Sequence, residues 1–301
     1  MTTIPNMLLV MNGKGGVAKT SLVANISGIA ALSGWKVLAI DLDPQGNLAR
    51  DLGYLSQSDG GLGLFAAAFT KAQLTPLENI RPNLDVIPGG PETIRLADQL
   101  RSDVSRTSDP STAYHRLANA ILPLSHNYDL IVVDLPPGEA ILRQAAARCA
   151  KWIVIPTKTD DGSIDGLNAV FGDFLASRDS NPELTVLGVA ITLVNPSATA
   201  ILAETRIELS DLLGEKIPVF ESTIRFSEAM AVACRRDGVL PYEYELTAIS
   251  ATRRRFEALR LGKKPERVSS AAGGLASDYQ RLVEEILASI SSSSQTGDTV
   301  A

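Results

Sequence analysis

The feature that constrains the fold most is a glycine-rich segment between an apolar run and a stretch of helical periodicity. Residues 7–11 are continuously apolar, a pattern typical of a strand buried on both faces of a sheet. From Lys19 to about Ser33 the apolar side chains recur at helical spacing, and Gly34 ends the pattern. Residues 37–40 are apolar again. A strand, a loop, a helix and a second strand within about 35 residues predict a βαβ unit with a right-handed crossover.

The loop of this unit has the composition of a phosphate-binding loop. Its residues are Gly13, Lys14, Gly15, Gly16, Val17, Ala18, Lys19, Thr20 and Ser21. Glycines let the backbone wrap with its N–H groups pointing inward, and the following helix adds its positive N-terminal end. Lys19 is expected to contact the β and γ phosphates, and the Thr20 hydroxyl to ligate Mg²⁺. Ala18 stands where a glycine usually precedes the final lysine, and its methyl group is tolerable if its φ is negative.

Acidic side chains follow two of the apolar runs. Asp134 ends the run 131–133, where a lone carboxylate is costly unless it has a cation or a hydrogen-bond donor beside it. Next to a phosphate loop, Mg²⁺ is the natural partner. Asp41 and Asp43 end the second strand on the neighbouring side of the site. Either of them could instead cap a helix over residues 45–52, and Asp134 could simply cap the turn that follows it.

Strands and helices continue to alternate beyond the first unit. Strands are predicted at residues 84–87, 130–133, 152–155, 186–194 and 217–220, and helices at residues 92–101, 111–122, 139–150, 163–177, 199–213 and 227–236. Residues 102–110, rich in serine and aspartate, are predicted to form a surface loop. This order predicts one doubly wound α/β domain, with a mainly parallel sheet and helices on both faces.

The composition is that of an ordinary globular chain and excludes fibrous, collagen-like and wholly disordered classes. Hydrophobic residues make up 45% and charged residues 21% of the 301 residues, which is enough for at least one full core. No apolar run approaches the roughly 20 residues that cross a bilayer, and the N-terminus lacks the features of a signal peptide, so we expect a cytoplasmic protein. Cys149 and Cys234 have no metal-ligand spacing and are expected to be ordinary buried thiols.

Four segments resemble the ParA/MinD class of P-loop ATPases. Residues 14–20, KGGVAKT, match KGGxxK(S/T), the deviant Walker A motif of that class. Residues 41–47, DLDPQGN, look like the segment that follows the second strand in ParA proteins. Residues 134–138 are similar to the Walker B and switch segment, and residues 224–229 to the family's VRLSEA stretch. The resemblance implies a P-loop ATPase fold over most of the chain.

The resemblance also implies how the site works with ATP. Lys14 would reach the nucleotide of the other subunit, so that ATP joins two chains in a sandwich dimer, while Lys19 stays on its own nucleotide. Gly138 would follow the γ-phosphate through its backbone N–H and move when that phosphate is lost. Asn195 is a candidate for reading the adenine base, although the family's IPRN stretch is replaced by EST at residues 221–223.

Roles for the carboxylates follow from the same resemblance. Asp43 would orient or activate the attacking water, which makes it a catalytic residue together with Lys14 and Lys19. Asp41 would support the Mg²⁺ shell formed with Thr20 and Asp134. Because phosphoryl transfer depends mostly on positioning and charge neutralisation, no strong general base is needed. Hydrolysis is therefore expected to be slow until dimerisation or a partner completes the site.

Three members of this class have to be distinguished. A ParA-type partition ATPase binds DNA nonspecifically in its ATP state, a MinD-like positioning ATPase binds the membrane, and a reductase of the nitrogenase iron-protein type holds an iron–sulfur cluster. A MinD-type anchor would be a basic amphipathic helix, whereas residues 275–290 contain three acidic residues and one arginine. The two cysteines do not match the cluster ligands. The DPQGN segment favours ParA over both alternatives, with the MinD-like function as the second choice.

A basic segment supports the DNA-binding alternative. Residues 253–267 contain seven Lys or Arg and two Glu, a local net charge of +5 in a chain whose total is −6. Such clustering suits phosphate backbones and needs no base-reading element, although a solvated helix face has the same composition. The candidate DNA-binding residues are Arg225, Arg235, Arg236, Arg253, Arg254, Arg255, Lys263 and Lys264. Because the phosphate loop begins at Gly13, we expect no helix-turn-helix domain before it and no sequence-specific operator binding.

We therefore predict a ParA-like, Mg²⁺-dependent ATPase that forms an ATP-dependent homodimer and binds DNA nonspecifically. Residues 1–265 would form the P-loop ATPase domain, residues 266–274 a linker, residues 275–290 a C-terminal helix and residues 291–301 a disordered tail. Such a protein would drive segregation or positioning of a plasmid, chromosome or other cargo, with hydrolysis stimulated by a ParB-like or adaptor protein. We expect it to be associated with the nucleoid when ATP is bound, and not with the membrane.

Overall fold

Strands and helices alternate along the chain as the sequence predicts. The computed structural model describes residues 3–70, 72–109, 111–160, 162–214, 217–247, 260–261 and 272–297. The strands are β1 (Ile4–Val10), β2 (Val37–Asp41), β3 (Leu77–Arg81), β4 (Leu84–Ile87), β5 (Leu130–Asp134), β6 (Ala150–Thr157) and β7 (Thr185–Ile191). The helices are α1 (Lys19–Leu32), α2 (Leu48–Asp51), α3 (Leu62–Thr70), α4 (Glu92–Arg106), α5 (Ser111–Ser125), α6 (Ala140–Ala147), α7 (Gly162–Arg178), α8 (Thr199–Leu213), α9 (Glu228–Asp237) and α10 (Ala272–Gly297).

The described strands form one sheet in the order β3-β4-β2-β5-β1-β6-β7. Every neighbouring pair is parallel except β3 and β4, which are antiparallel. Asp134 at the end of β5 lies opposite Val10 of β1 on one side and opposite Asp41 of β2 on the other. The carboxyl ends of the central strands thus meet where the chain order reverses, the place at which such folds bind ligands. The predicted doubly wound α/β fold is confirmed.

The core has two layers, one on each face of the sheet, because successive strand residues point to opposite sides. In β1, Met7 and Leu9 pack with the helices from α3 to α8, whereas Leu8 and Val10 pack with α1, α2, α9 and α10. All four of these side chains are fully buried. This two-sided burial explains why the strand sequences are continuous apolar runs and not alternating ones.

The C-terminal helix is longer than predicted and belongs to the main core. It begins at Ala272, inside the predicted linker 266–274, and continues to Gly297, inside the predicted disordered tail 291–301. Its apolar face packs in the core layer that contains α1, where Leu282 and Val283 are fully buried. The helix therefore completes one side of the α/β domain and is not a separate element.

Other differences have simple causes. The predicted strand 217–220 reduces to a single bridge between Val189 and Val219, because Pro218 has no N–H with which to extend a ladder. Strand β3 and helix α3 were not predicted; β3 is an edge strand whose side chains are exposed or half-buried, so it has no apolar run. Helix α4 continues to Arg106, through the first half of the predicted loop 102–110.

Candidate functional site

The phosphate loop connects β1 to α1 and is anchored from both sides. Asn12 is fully buried; its Nδ2 donates to the carbonyl of Pro156 at the end of β6 (2.7 Å), and its Oδ1 accepts the backbone N–H of Lys14 (2.8 Å). Helix α7 approaches so closely that a Cβ on Gly166 would lie 2.2 Å from Asn12 Oδ1. Farther along the loop, the Thr192 hydroxyl donates to the carbonyl of Val17 (3.1 Å). The loop is therefore held in shape by the sheet edge.

The backbone of the loop turns through left-handed conformations. Gly16 has φ +70°, and Ala18 has φ 59° with ψ 29° just before α1 begins. The condition under which the Ala18 methyl group would be tolerable, a negative φ, is therefore not met. A side chain in this region costs about 1–2 kcal/mol, and such a cost persists only where the surroundings impose it. Left-handed residues beside right-handed ones turn successive N–H groups toward a common centre, which is how backbone loops bind anions.

Lys19 points back over the loop and not into solvent. Its side chain is buried, and its Nζ donates to the carbonyl of Lys14 at 2.8 Å. Burial lowers the pKa of Lys19 to about 8, the nearby carboxylates of Asp134 and Asp43 raise it, and the guanidinium of Arg143 lowers it further. The ammonium therefore lies in the field of two carboxylates and a second cation, where an anion with several charges would favour its protonated form.

Asp134 is a fully buried carboxylate without hydrogen bonds. Neither of its oxygens meets the geometry of a hydrogen bond with any described residue. Burial raises its pKa to about 7, and the charge of Asp43 adds to this, while the nearby Thr20 hydroxyl and Lys19 ammonium lower it. A buried polar group of this kind costs about 1–3 kcal/mol or more. Two orphaned carboxylate oxygens next to a threonine hydroxyl are a donor set that fits Mg²⁺.

Asp41 and Asp43 hold the turn after β2. Asp41 is fully buried; its Oδ1 accepts the N–H of Asp43 (2.8 Å), and its Oδ2 accepts the N–H of Leu48 (3.3 Å) at the start of α2. Asp43 is half-buried and accepts the N–H of Gln45 at 2.9 Å. Burial and the charge of Asp134 raise the pKa of Asp41 well above its usual range. Asp41 thus caps the turn, and its place in the Mg²⁺ shell stays a prediction, as does the role of Asp43 toward water.

Lys14 is paired within its own chain. Its Nζ lies 2.5 Å from Oδ1 of Asp160, on the connection between β6 and α7. The Lys14 side chain is 30% exposed and that of Asp160 48% exposed, so the pair lies at the surface. The predicted contact with the nucleotide of a second subunit is not tested by a single chain, and it requires this ion pair to open.

The switch segment lies directly beside the phosphate loop. A Cβ built on Gly15 would lie 3.9 Å from the ring carbon Cγ of Pro137, and Gly138 is exposed with nothing within 4 Å of its own Cβ position. The carbonyl of Pro137 accepts a hydrogen bond from Arg143 Nη1 at 2.5 Å, and Arg143 forms a buried ion pair with Asp173. Sequence reasoning missed these last two residues. The available signal was an arginine on the helix that directly follows the switch segment.

The candidate adenine reader is at the edge of a shallow cavity. Asn195 is exposed, and its Oδ1 accepts hydrogen bonds from the backbone N–H (3.1 Å) and the hydroxyl (2.9 Å) of Ser197. Thr223 and Arg225 line the same cavity. The side-chain oxygen of Asn195 is thus used in hydrogen bonds within the local turn. Recognition of the base by Asn195 stays a prediction.

The candidate DNA-binding arginines that the structure describes are already paired. Arg225 binds the buried Asp278 through Nε (2.6 Å) and Nη2 (2.9 Å). Arg235 binds Asp51 at 2.8 Å, and Arg236 binds Asp237 at 2.8 Å. Each guanidinium is paired with a carboxylate, although Arg225 shares Asp278 with Arg281, so these three residues add less to a basic surface than their number indicates. The other candidates, Arg253, Arg254, Arg255, Lys263 and Lys264, lie outside the described residues.

Both cysteines are buried, and Cys234 lines a cavity together with Ser21 of the phosphate loop. Burial raises the pKa of the Cys149 and Cys234 thiols to about 12. Among the described residues, no group of three or more His, Cys, Asp or Glu side chains could hold a metal ion by itself. A Mg²⁺ ion would therefore need phosphate or water oxygens in addition to Asp134 and Thr20. None of the described helices combines the length and the apolar character needed to cross a membrane.

Comparisons with known proteins agree with this geometry. The model of the AAA domain family matches residues 6–186. The sporulation initiation inhibitor protein Soj of Bacillus subtilis is 29% identical over 231 residues, which cover 74% of this chain and 87% of Soj. The chromosome partitioning protein ParA of Myxococcus xanthus is 27% identical over 201 residues, which cover 65% of this chain and 68% of ParA. Apo McdA from Cyanthece has the same fold, with a TM-score of 0.69, 19% identity, and coverage of 93% of this chain and 99% of McdA.

Proposed function

This chain belongs to the AAA domain family, among the ParA-type partition ATPases, and on that premise we propose that it is an Mg²⁺-dependent ATPase that dimerises on ATP, binds DNA nonspecifically and positions a cargo. The observation that carries the enzymatic part is the pair of orphaned oxygens on Asp134 beside Lys19 and Thr20. A buried carboxylate is costly unless it is protonated or paired with cations, and a bound Mg²⁺ would add to the charge that Lys19 already supplies. A scaffold with a dead nucleotide site would have no reason to retain this arrangement.

The residues of the site divide the work of binding ATP. The N–H groups of the phosphate loop and the ammonium of Lys19 would hold the β and γ phosphates, and Thr20 and Asp134 would hold Mg²⁺. When bound, Mg²⁺ would neutralise charge that develops on the phosphate oxygens. Asp41 keeps the turn after β2 closed through its two hydrogen bonds to backbone N–H groups. That turn presents Asp43, the group proposed to accept a hydrogen bond from the attacking water and to orient it.

Dimerisation would complete the site. The side chain of Lys14 is held by a group outside the phosphate loop, namely Asp160. We infer that this surface pair opens when a second subunit presents its nucleotide, because the phosphates carry more negative charge than one carboxylate. Hydrolysis would be slow in the single chain because its site lacks the Lys14 ammonium of a second subunit. A ParB-like protein or an adaptor would then act by stabilising the completed site.

DNA binding is the less direct part of the proposal. It is supported by the net charge of +5 over residues 253–267 and by the similarity to the chromosome partitioning protein of Myxococcus xanthus. Two copies of the basic segment in an ATP dimer would double the number of phosphate contacts, and affinity rises steeply with that number. In a cell, the ATP-bound protein would then lie on the nucleoid.

The membrane-associated alternative has less support. It needs an amphipathic helix that is free to leave the protein. In α10 the apolar side chains Leu282, Val283 and Ile286 are fully buried in the core, and Asp278 is committed to Arg225. Removing this helix from the fold would expose that apolar surface. The burial therefore favours DNA over the membrane as the surface on which the protein works.

Measuring ATP turnover with and without DNA tests the enzymatic part. We expect slow, Mg²⁺-dependent release of phosphate by the wild type, and none by a Lys19→Ala variant. Turnover that is absent from the wild type under both conditions would reject the ATPase function.

Sedimentation with ATP, with ADP and with a Lys14→Ala variant tests the dimer. A Lys14→Ala protein that dimerises with ATP as the wild type does would reject the contact between subunits.

A further inference from the structure

Arg143 and Asp173 form a buried ion pair between two helices beside the phosphate site. Nε of Arg143 on α6 lies 2.7 Å from Oδ2 of Asp173 on α7, and their side chains are only 7% and 6% exposed. The other carboxylate oxygen of Asp173 accepts a hydrogen bond from Gln144 Nε2 at 3.1 Å. Burying two charges is costly, and a buried pair of this kind is weak evidence for a contribution to stability alone. The presence of the Arg143–Asp173 pair beside the phosphate site therefore needs an explanation other than stability.

The same guanidinium holds the switch segment. Nη1 of Arg143 donates to the carbonyl oxygen of Pro137 at 2.5 Å. That carbonyl and the N–H of Gly138 belong to one peptide unit, which is planar and trans, as no cis peptide bond occurs among the described residues. In a trans peptide the C=O and the N–H point in opposite directions. Fixing the Pro137 oxygen therefore fixes the direction in which the Gly138 N–H points.

This peptide is also fixed in place on its other sides. The ring of Pro137 packs against Gly15 of the phosphate loop, 3.9 Å from the Cβ position of that glycine. On the far side of Gly138, the carboxylate of Glu139 is bound by Arg101 of α4. Gly138 itself is exposed and has open space around it. The segment thus presents the peptide unit of Pro137 and Gly138 at a held position next to the loop that would bind phosphates.

Joining α6 to α7 does not require Arg143. Arg148, one turn farther along, already connects the two helices, since its Nη1 donates to Gln144 O (3.2 Å) and its Nη2 to Ala176 O (3.2 Å). Its guanidinium also stacks on the ring of Tyr114. What distinguishes Arg143 is its contact with the switch peptide.

We propose that Arg143, held by Asp173, is a positioning residue that aims the Gly138 N–H at the terminal phosphate of a bound nucleoside triphosphate. This inference rests on the proposed function in that the site takes ATP. A diphosphate has no group at that position. The ion pair thus makes the site distinguish ATP from ADP without touching either nucleotide. In this proposal, a buried ion pair between α6 and α7 determines whether the site detects the third phosphate.

Equilibrium binding of two nucleotides to the full chain tests the proposal. The titrants are ADP with Mg²⁺ and a non-hydrolysable ATP analogue with Mg²⁺, against the wild type, Arg143→Gln and Asp173→Asn. A lost hydrogen bond to a charged group corresponds to about a tenfold or larger fall in affinity. We expect a fall of about that size for the ATP analogue with both variants, and a change of less than about twofold for ADP. Arg148→Gln is the matched control and should change neither affinity.

Two glycine variants identify the N–H as the group through which Arg143 acts. Gly138→Ala keeps the N–H, and its methyl group would meet no atom within 4 Å; it is the reference that separates the effect of a side chain from the loss of the N–H. Gly138→Pro removes the N–H and should weaken binding of the ATP analogue alone. If Arg143 acts through this group, adding Arg143→Gln to Gly138→Pro should give little further loss, because the two changes remove the same contact.

The outcomes separate this proposal from the function on which it rests. A wild type that binds neither nucleotide would reject the proposed ATPase function. A wild type that binds both, with Arg143→Gln and Asp173→Asn weakening ADP and the ATP analogue equally, would overturn the positioning role. Additive losses in the Arg143→Gln and Gly138→Pro double variant would overturn it as well. If Arg143→Gln does not fold, Asp173→Asn and Gly138→Pro still decide the matter.

Discussion

Lys14 Nζ lies 2.5 Å from Asp160 Oδ1, so the signature lysine of the phosphate loop is bound within its own chain. The resemblance to ParA proteins assigns this lysine to the nucleotide of a second subunit. The two contacts are compatible if Lys14 binds Asp160 in the single chain and binds the nucleotide of the second subunit in the dimer. Exposed ion pairs contribute about 0.2–1 kcal/mol, which is small enough for a nucleotide to displace one of the partners.

Removing the carboxylate should therefore ease dimerisation. In an Asp160→Asn variant, Lys14 no longer has a charged partner at this position, and we expect the ATP-dependent dimer to form at about a two- to fivefold lower protein concentration. Sedimentation at a series of concentrations measures this shift. The Lys14→Ala, Asp160→Asn double variant should not dimerise, and the ADP-bound single variant should stay monomeric. A midpoint that is unchanged or higher in Asp160→Asn would show that the pair does not compete with the subunit contact.

Asp134 should lower the stability of the nucleotide-free protein. Neither of its buried oxygens meets the geometry of a hydrogen bond with a described residue, so Asp134→Asn removes a charge that the nearby Lys19 and Thr20 compensate only in part. We expect the melting temperature of the nucleotide-free variant to rise by about 2–8 °C, for a gain of about 1–2 kcal/mol, while Mg²⁺-dependent ATP turnover is lost. Calorimetry and a phosphate-release assay measure the two effects.

Asp85 offers a matched comparison for this substitution. Its carboxylate accepts hydrogen bonds from the Asn79 backbone N–H (2.8 Å) and the Tyr128 hydroxyl (2.8 Å), so its oxygens are satisfied. Asp85→Asn should lower the melting temperature and leave turnover intact. A nucleotide-free Asp134→Asn protein that melts below the wild type would contradict the view that the carboxylate of Asp134 is only partly compensated.

The part of the fold that the sequence predicts well is the part where local patterns and global packing agree. The runs at residues 7–11 and 37–40 are continuous because both faces of the sheet are covered, so their pattern leaves no ambiguity. Strand β3 has no such run, since it lies at the sheet edge and needs only half of its surface buried. The end of α10 also depends on distant residues: Trp152 Nε1 donates to the Ser293 hydroxyl at 2.9 Å, a contact that no local pattern contains.

The candidate site also has a part that the sequence predicts and a part that depends on packing between distant segments. Its phosphate loop is contiguous in the chain, so residues 13–21 could be named from their spacing alone. Arg143 and Asp173 are 30 residues apart and meet only because α6 packs beside α7. The left-handed conformation of Ala18 likewise arises from its anchored neighbours and not from its own preference. Properties that depend on packing between distant segments were therefore the ones that sequence patterns missed.

The buried thiols should make the protein less stable at high pH. Burial raises the pKa of Cys149 and Cys234 from 9.0 to about 12. Between these two values the unfolded chain releases protons that the folded chain keeps, so stability falls as the pH rises above about 9. A Cys149→Ala, Cys234→Ala variant should lose less melting temperature between pH 8 and pH 10 than the wild type. Equal losses would mean that other groups dominate this range.

Reversing the charge of residues 253–255 should abolish DNA retention. In the wild type, binding to a random DNA duplex with ATP is expected to weaken steeply with salt, because each phosphate contact releases counterions. Replacing Arg253, Arg254 and Arg255 by glutamate should remove binding even at low salt, without changing ATP turnover in the absence of DNA. Fluorescence anisotropy over a range of salt concentrations measures both the affinity and its salt slope.

The paired arginines provide the comparison for this charge reversal. Arg235 and Arg236 each lie 2.8 Å from a carboxylate, Asp51 and Asp237 respectively. Because those charges are already balanced, Arg235→Ala and Arg236→Ala should change the DNA affinity by less than about threefold at low salt. A larger effect from either substitution, together with retained binding by the triple-glutamate variant, would move the DNA surface from the basic segment to α9. Such a result would also require the Arg235–Asp51 pair to open on DNA.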